Sequence, residues 1–152
     1  MKIYKHVMIL SFSAVLAACD QKPDPVVMQS PAQSVSRNFD FAQLSRGEQL
    51  FRQNCAMCHG DEAQGAKNWQ QAGPDGKYPP PPLNGTAHTW HHSKKVLVDV
   101  IQNGTQRLGG NMPAWKDKLS EEEIDAIINW FQSKWSDQVY TVWHNKVNVT
   151  GK

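Results

Sequence analysis

Apolar positions return every three to four residues in two stretches of the chain. In "FAQLSRGEQLFRQNC", Leu44, Gly47, Leu50, Phe51 and Asn54 fall on one face of a helix. Gly47 inside that stripe costs about 1 kcal/mol of helix stability against alanine and permits close backbone contact with a neighbour. Nearer the C-terminus, Ile124, Ile127, Ile128 and Phe131 repeat the stripe. Ser120 and Glu123 precede it at capping-box spacing, and Glu121 to Glu123 suit the positive end of the helix dipole. A shorter run, "SKKVLVDVIQNGT", puts Val96, Leu97, Val100 and Ile101 on one face and stops at Asn103-Gly104. It reads as a helix, although its β-branched content also suits a strand.

Between these stretches the pattern breaks. Residues 60–86 are dominated by Gly, Pro, Asp and Asn and read as loop. So long a loop within a small domain needs something to organise it, such as a bound cofactor. A second Gly-rich loop, "QRLGGNMPAW", carries Met112. The tail "SDQVYTVWHNKVNVTGK" is short and partly alternating. The expected fold is all-α, one small helical domain with long loops.

Length and composition agree with one domain: 152 residues, 39% hydrophobic. The net charge of +2 and the lack of a basic run argue against nucleic acid as partner. The first 18 residues read as a signal peptide. Lys2 and Lys5 precede an apolar stretch from Val7 to Ala18, too short to span a bilayer. Leu16-Ala17-Ala18-Cys19 resembles a bacterial lipobox, in which Cys19 becomes the lipidated first residue. Asp20 resembles the signal that retains such proteins at the inner membrane. Cleavage removes two lysines and no acid, so the mature chain is formally neutral. Residues 19–39, rich in Pro, Gln and Ser, read as a flexible tether spanning roughly 25 Å. The packed domain is assigned to residues 40–136 and a C-terminal tail to 137–152.

With Cys19 assigned to lipid, Cys55 and Cys58 remain, and His59 follows directly. Three chemistries are compatible with C-x-x-C-H. A redox disulfide wants a preceding strand, and here an amphipathic helix precedes. Zinc could use Cys55, Cys58, His88 and His92, but the separation is far longer than in ordinary fingers and leaves His59 unexplained. Covalent haem uses all three residues: two thioethers from one helical turn, and the next histidine carried beneath the iron.

Over residues 40–135 the chain resembles the class I c-type cytochromes. The resemblance rests on several motifs in order. Gly47 and Phe51 match the helix glycine and aromatic that cross the C-terminal helix, with Trp130 as the partner. "CAMCH" matches the haem motif. Pro81-Pro82-Leu83 matches a P-x-L turn whose proline carbonyl accepts a hydrogen bond from the proximal imidazole. "GGNMPAW" matches the loop whose methionine, here Met112, ligates iron from the other face. The resemblance implies a cytochrome c-like domain wrapped around one haem c, bound through Cys55 and Cys58. His59 and Met112 are then the axial ligands, and Pro81 and Leu83 contribute to the proximal turn. The loop from His59 to Pro81 is longer than in compact members. "HTWHH" at 88–92 and the tail lie outside the family core.

Six-coordinate iron has no vacancy for oxygen or peroxide, so this ligand set implies an electron carrier and not an enzyme. His88, His91 and His92 are rivals for the distal place, with a lower potential as the consequence. Loss of the sixth ligand would give a peroxidase or gas sensor instead. Trp69, Trp90 and Trp115 lie on loops that could exclude water from the haem or simply pack on the core. The expected setting is periplasmic: a lipid-anchored monomer at the inner membrane. It would exchange electrons with an oxidase, a quinol-oxidising complex or a periplasmic dehydrogenase through small, transient contacts.

Overall fold

The computed structural model describes residues 34–148. The signal peptide, Cys19 and most of the proposed tether lie outside the described residues. Among those described, every regular element is helical: α1 (Phe41–Asn54), α2 (Ala56–His59), α3 (Lys94–Asn103), α4 (Glu121–Ser133) and α5 (Asp137–Val142). Short 3₁₀ turns occupy His88–His91 and Gln106–Leu108, and a π-helical turn, Trp143–Asn148, follows α5. None of these helices is long and apolar enough to cross a membrane.

The core is the crossing of α1 and α4. Gly47 lies against the backbone of α4. A Cβ built there would sit 2.6 Å from the Ala126 carbonyl carbon, closer still to its oxygen, and 2.9 Å from Trp130 Cβ. Only a residue without a side chain allows this approach. Around the crossing, Leu50, Phe51, Ile124, Ile127, Ile128, Trp130 and Phe131 are buried, and the Phe51 and Trp130 rings lie 4.5 Å apart. Each such side chain contributes roughly 1.5–3 kcal/mol of burial free energy. Asp40 caps α1 through the Ala42 N–H, and Ser120 and Glu123 form the reciprocal capping box of α4. The segment open to strand or helix is the helix α3, which buries Leu97 and Ile101.

Both flanks of this core are packed. The last residues read as tether, 34–39, form an extended strap with Val35, Arg37 and Phe39 turned inward. The packed body therefore starts about five residues before the boundary at 40. Arg37 donates to the carbonyls of Gln132 (3.3 Å) and Ser133 (3.4 Å) at the end of α4 and pairs with Asp137 at 2.9 Å. Its guanidinium lies 4.7 Å over the Tyr140 ring. The tail is helical through Asn148 and buries Tyr140 and Trp143. Its apolar surface, not its own length, makes α5 stable, since six residues are too few for an isolated helix.

Candidate functional site

The cysteine motif begins where α1 stops. Cys55 closes the last turn by donating its N–H to Phe51, and α2 continues at once. Cys55 is half-buried, Cys58 exposed, and neither is in a disulfide. Burial, then the neighbouring Cys58, pushes the Cys55 thiol up to about 11. A thiol so protonated lacks the lowered pKa of a disulfide-exchange nucleophile. Among the described residues no group of three or more His, Cys, Asp or Glu is placed to hold a metal ion, so the zinc set of Cys55, Cys58, His88 and His92 does not come together. His88 instead faces Trp69, with ring centroids 5.1 Å apart, and His91 faces Trp90 at 4.0 Å.

His59 is buried, and its Nδ1 lies 3.0 Å from the Pro81 carbonyl oxygen. A carbonyl only accepts, so Nδ1 carries the proton. Burial lowers the imidazole pKa, partly countered by the Pro81 bond, and holds the ring neutral near pH 7. Nε2 is left as a bare donor, the tautomer a metal ligand requires.

The proline run supplies that carbonyl by a simple rule. Prolines have no N–H, so the segment cannot join a backbone ladder, and its carbonyls must find donors elsewhere. Four successive oxygens find four different donors. Pro80 accepts from the Ala66 N–H at 2.8 Å, Pro81 from His59, Pro82 from Thr89 Oγ1 at 2.8 Å, and Leu83 from Trp135 Nε1 at 2.8 Å. The opposing turn, 60–66, locks to the same segment. The Leu83 N–H donates to the Ala63 carbonyl at 2.8 Å, and Gly65 N–H to the His59 carbonyl at 2.7 Å. Gly65 takes φ +67°, and a Cβ there would meet the Pro81 carbonyl carbon at 2.5 Å. Sequence reasoning picked out Pro81 and Leu83 but not Thr89 or Trp135 as holders of this turn. A run of prolines signals that outside donors are needed without saying which.

Met112 is half-buried and packs against the core from the loop between α3 and α4. Thr105 holds its backbone twice: Met112 N–H donates to Thr105 Oγ1 at 3.0 Å, and Thr105 N–H to the Met112 carbonyl at 2.9 Å. Gly110 N–H also donates to Thr105, at 2.9 Å, which closes the loop. The residues therefore offer two free thiols, a neutral imidazole with a bare Nε2, and a thioether on a fixed loop. This donor set fits a haem that is covalently attached and ligated on both faces.

The family profile for cytochrome c oxidase, cbb3-type, subunit III matches residues 42–131, well over half of the chain. The chain belongs to this family of class I c-type cytochrome domains. It is 36% identical over 88 residues to the cbb3-type cytochrome c oxidase subunit CcoP of Azospirillum sp. (strain B510), covering 58% of this chain and 27% of that protein. With CcoP of Rhodobacter capsulatus the identity is 31% over 116 residues, 70% of this chain and 34% of the relative. Cytochrome c6 of Bryopsis maxima is 32% identical over 85 residues, 56% of this chain and 84% of that protein. The chain thus spans roughly a quarter to a third of the length of the CcoP relatives. No solved structure matches significantly. The cytochrome domain is all-α, and the family is one of covalent haem and electron transfer. The strap and α5 lie outside the matched residues.

Proposed function

We propose that this protein is a one-electron carrier whose single haem c is joined to Cys55 and Cys58, with His59 Nε2 and the Met112 sulfur as axial ligands. When bound, the haem takes up and releases single electrons at iron. The observation that carries the reading is the Pro81 carbonyl at 3.0 Å from His59 Nδ1. That bond fixes both the plane and the tautomer of the ring. On the opposite face, Met112 is the one methionine downstream of His59, and the doubly held loop around it supports a fixed rather than a labile sixth ligand. This favours the carrier over a peroxidase or gas sensor. Soft thioether sulfur favours the ferrous state and raises the potential relative to a second imidazole.

Acylation at Cys19 would hold the domain at the outer face of the cytoplasmic membrane, as a monomer on its tether. The CcoP and FixP relatives are named as subunits of cbb3-type cytochrome c oxidase. Among the expected partner classes, these names favour a terminal oxidase over a quinol-oxidising complex or a dehydrogenase. The test is the visible spectrum of the full-length protein and of Met112→Ala. The wild type should show the weak far-red band of ferric iron–methionine ligation and no reaction with carbon monoxide, and the variant should lose the band and bind the gas. A wild type that binds carbon monoxide readily overturns the carrier reading.

A further inference from the structure

The bond from Trp135 to the proline turn has no role in the ligand set itself. Trp135 is buried in the turn between α4 and α5, beyond the residues that match the family profile. Its Nε1 donates to Leu83 at 2.8 Å, the last of the four anchored carbonyls and two residues from Pro81. Gly85, the next glycine of that turn, packs on the same indole; a Cβ there would meet Trp135 Cδ1 at 2.9 Å. Trp135 is held in turn by the tail. The Trp143 ring packs edge-on to it at 5.7 Å, and Trp143 Nε1 donates to the His92 carbonyl at 2.9 Å. Tyr140 continues the contact at 5.5 Å from Trp143, and Phe39 of the strap meets Tyr140 at 5.9 Å. One aromatic chain therefore runs from the strap, through the tail, to the turn that faces His59.

We propose that Trp135, buttressed by Trp143, is a positioning residue for the proximal ligand: its indole N–H fixes the Leu83 carbonyl and thereby the Pro81 carbonyl that orients His59. Three of the four anchored carbonyls take donors from loops or from the histidine itself. Trp135 supplies the fourth from the turn just past α4, where its backbone N–H donates to the Gln132 carbonyl at 3.1 Å and its ring packs 6.2 Å from Phe131, so it ties the proline turn to the α1/α4 crossing. The tail thus acts on the proximal turn through Trp135. This inference rests on His59 being the proximal ligand.

The test compares full-length ferrous holoprotein with its Trp135→Phe variant, which keeps a ring and loses the donor. Proton exchange is followed at the Leu83 amide and at His59 Nδ1–H, with the Leu50 and Ile127 amides as references in the helix crossing. We expect both site protons to exchange about tenfold faster, the ratio one hydrogen bond supports, with the references unchanged. Unchanged exchange at the site overturns the proposal. Equal acceleration at all four positions also overturns it, because the indole would then be merely structural. If Trp135→Phe fails to fold, Trp143→Phe decides the matter by the same criteria. His59 ring signals shifted upfield by the porphyrin in the wild type establish the ligand. Their absence would overturn the ligand assignment, while Leu83 exchange still reports on the Trp135 bond.

Discussion

Gly47→Ala is the sharpest test of the crossing that carries the cysteine motif. The added carbon would lie 2.6 Å from the Ala126 carbonyl carbon and 2.9 Å from Trp130 Cβ. Ordinary carbon contacts begin near 3.5 Å, so the helices must part by about 1 Å. Neither obstacle can rotate away, since one is backbone and the other is bonded to it. Overpacking costs about 1–3 kcal/mol, and this rigidity places the cost at the upper figure, about 3 kcal/mol. Alanine returns about 1 kcal/mol through helix propensity. The net loss is about 2 kcal/mol, or about 8 °C in Tm for a domain of this size. Thermal unfolding followed by circular dichroism measures it, with Ser45→Ala, on the exposed face of the same helix, as the control for propensity. A Gly47→Ala protein melting at or above the wild type would refute the close-contact argument.

Two further outcomes follow from the flanks and the histidine loop. Arg37→Ala removes a guanidinium that caps two carbonyls of α4 and covers Tyr140. It should cost about 2 kcal/mol in urea unfolding and expose the 137–148 segment to protease, with Arg37→Lys in between. Its ion pair with the exposed Asp137 contributes little of this. His92 has its pKa lowered by partial desolvation, then by His88 and His91. The folded state therefore resists its protonation. The stability tied to a neutral ring is complete above the ordinary imidazole value of about 6.5 and declines as pH falls below it. Tm measured from pH 7 down to 5 should fall less steeply in His92→Gln, and equal slopes would contradict the assignment.

How much of this was legible differs from element to element, for physical reasons. The helices α1 and α4 announce themselves because each buries one stripe at the helical period, and the capping box marks where α4 starts. "CAMCH" is legible as candidate chemistry because rare side chains stand at fixed spacing, whereas the methionine loop is picked out only through the resemblance to the family. The strap is hidden in the sequence because its composition and its pattern point in different directions. Pro, Gln and Ser suggested coil through residue 39, whereas Val35, Arg37 and Phe39 alternate with the exposed Ser34, Ser36 and Asn38, the period of an extended chain lying on a surface. The tail was ambiguous because α5 is too short to fold by local preference. Tyr140 and Trp143 order it by burial against residues that are distant in sequence.

The proline turn shows why the histidine-facing side of the site needs those distant residues. From Gly60 to Ser93 the chain has one short 3₁₀ turn and no longer element, and such a segment is ordinarily mobile. Prolines reduce the entropy of its unfolded state but cannot bond it to itself, so its conformation is set by whichever donors reach its carbonyls. Those donors come from the 60–66 turn, from His59, from Thr89 and from Trp135 just past α4. The imidazole is thus one of the four groups that shape the turn, as well as the group the turn orients. On the proposed reading, the proximal ligand is oriented by the protein alone, and on the other face Thr105 does the same for the Met112 loop. Two axial groups held from outside the iron have little freedom to move when its charge changes, and small reorganisation of this kind makes electron transfer fast.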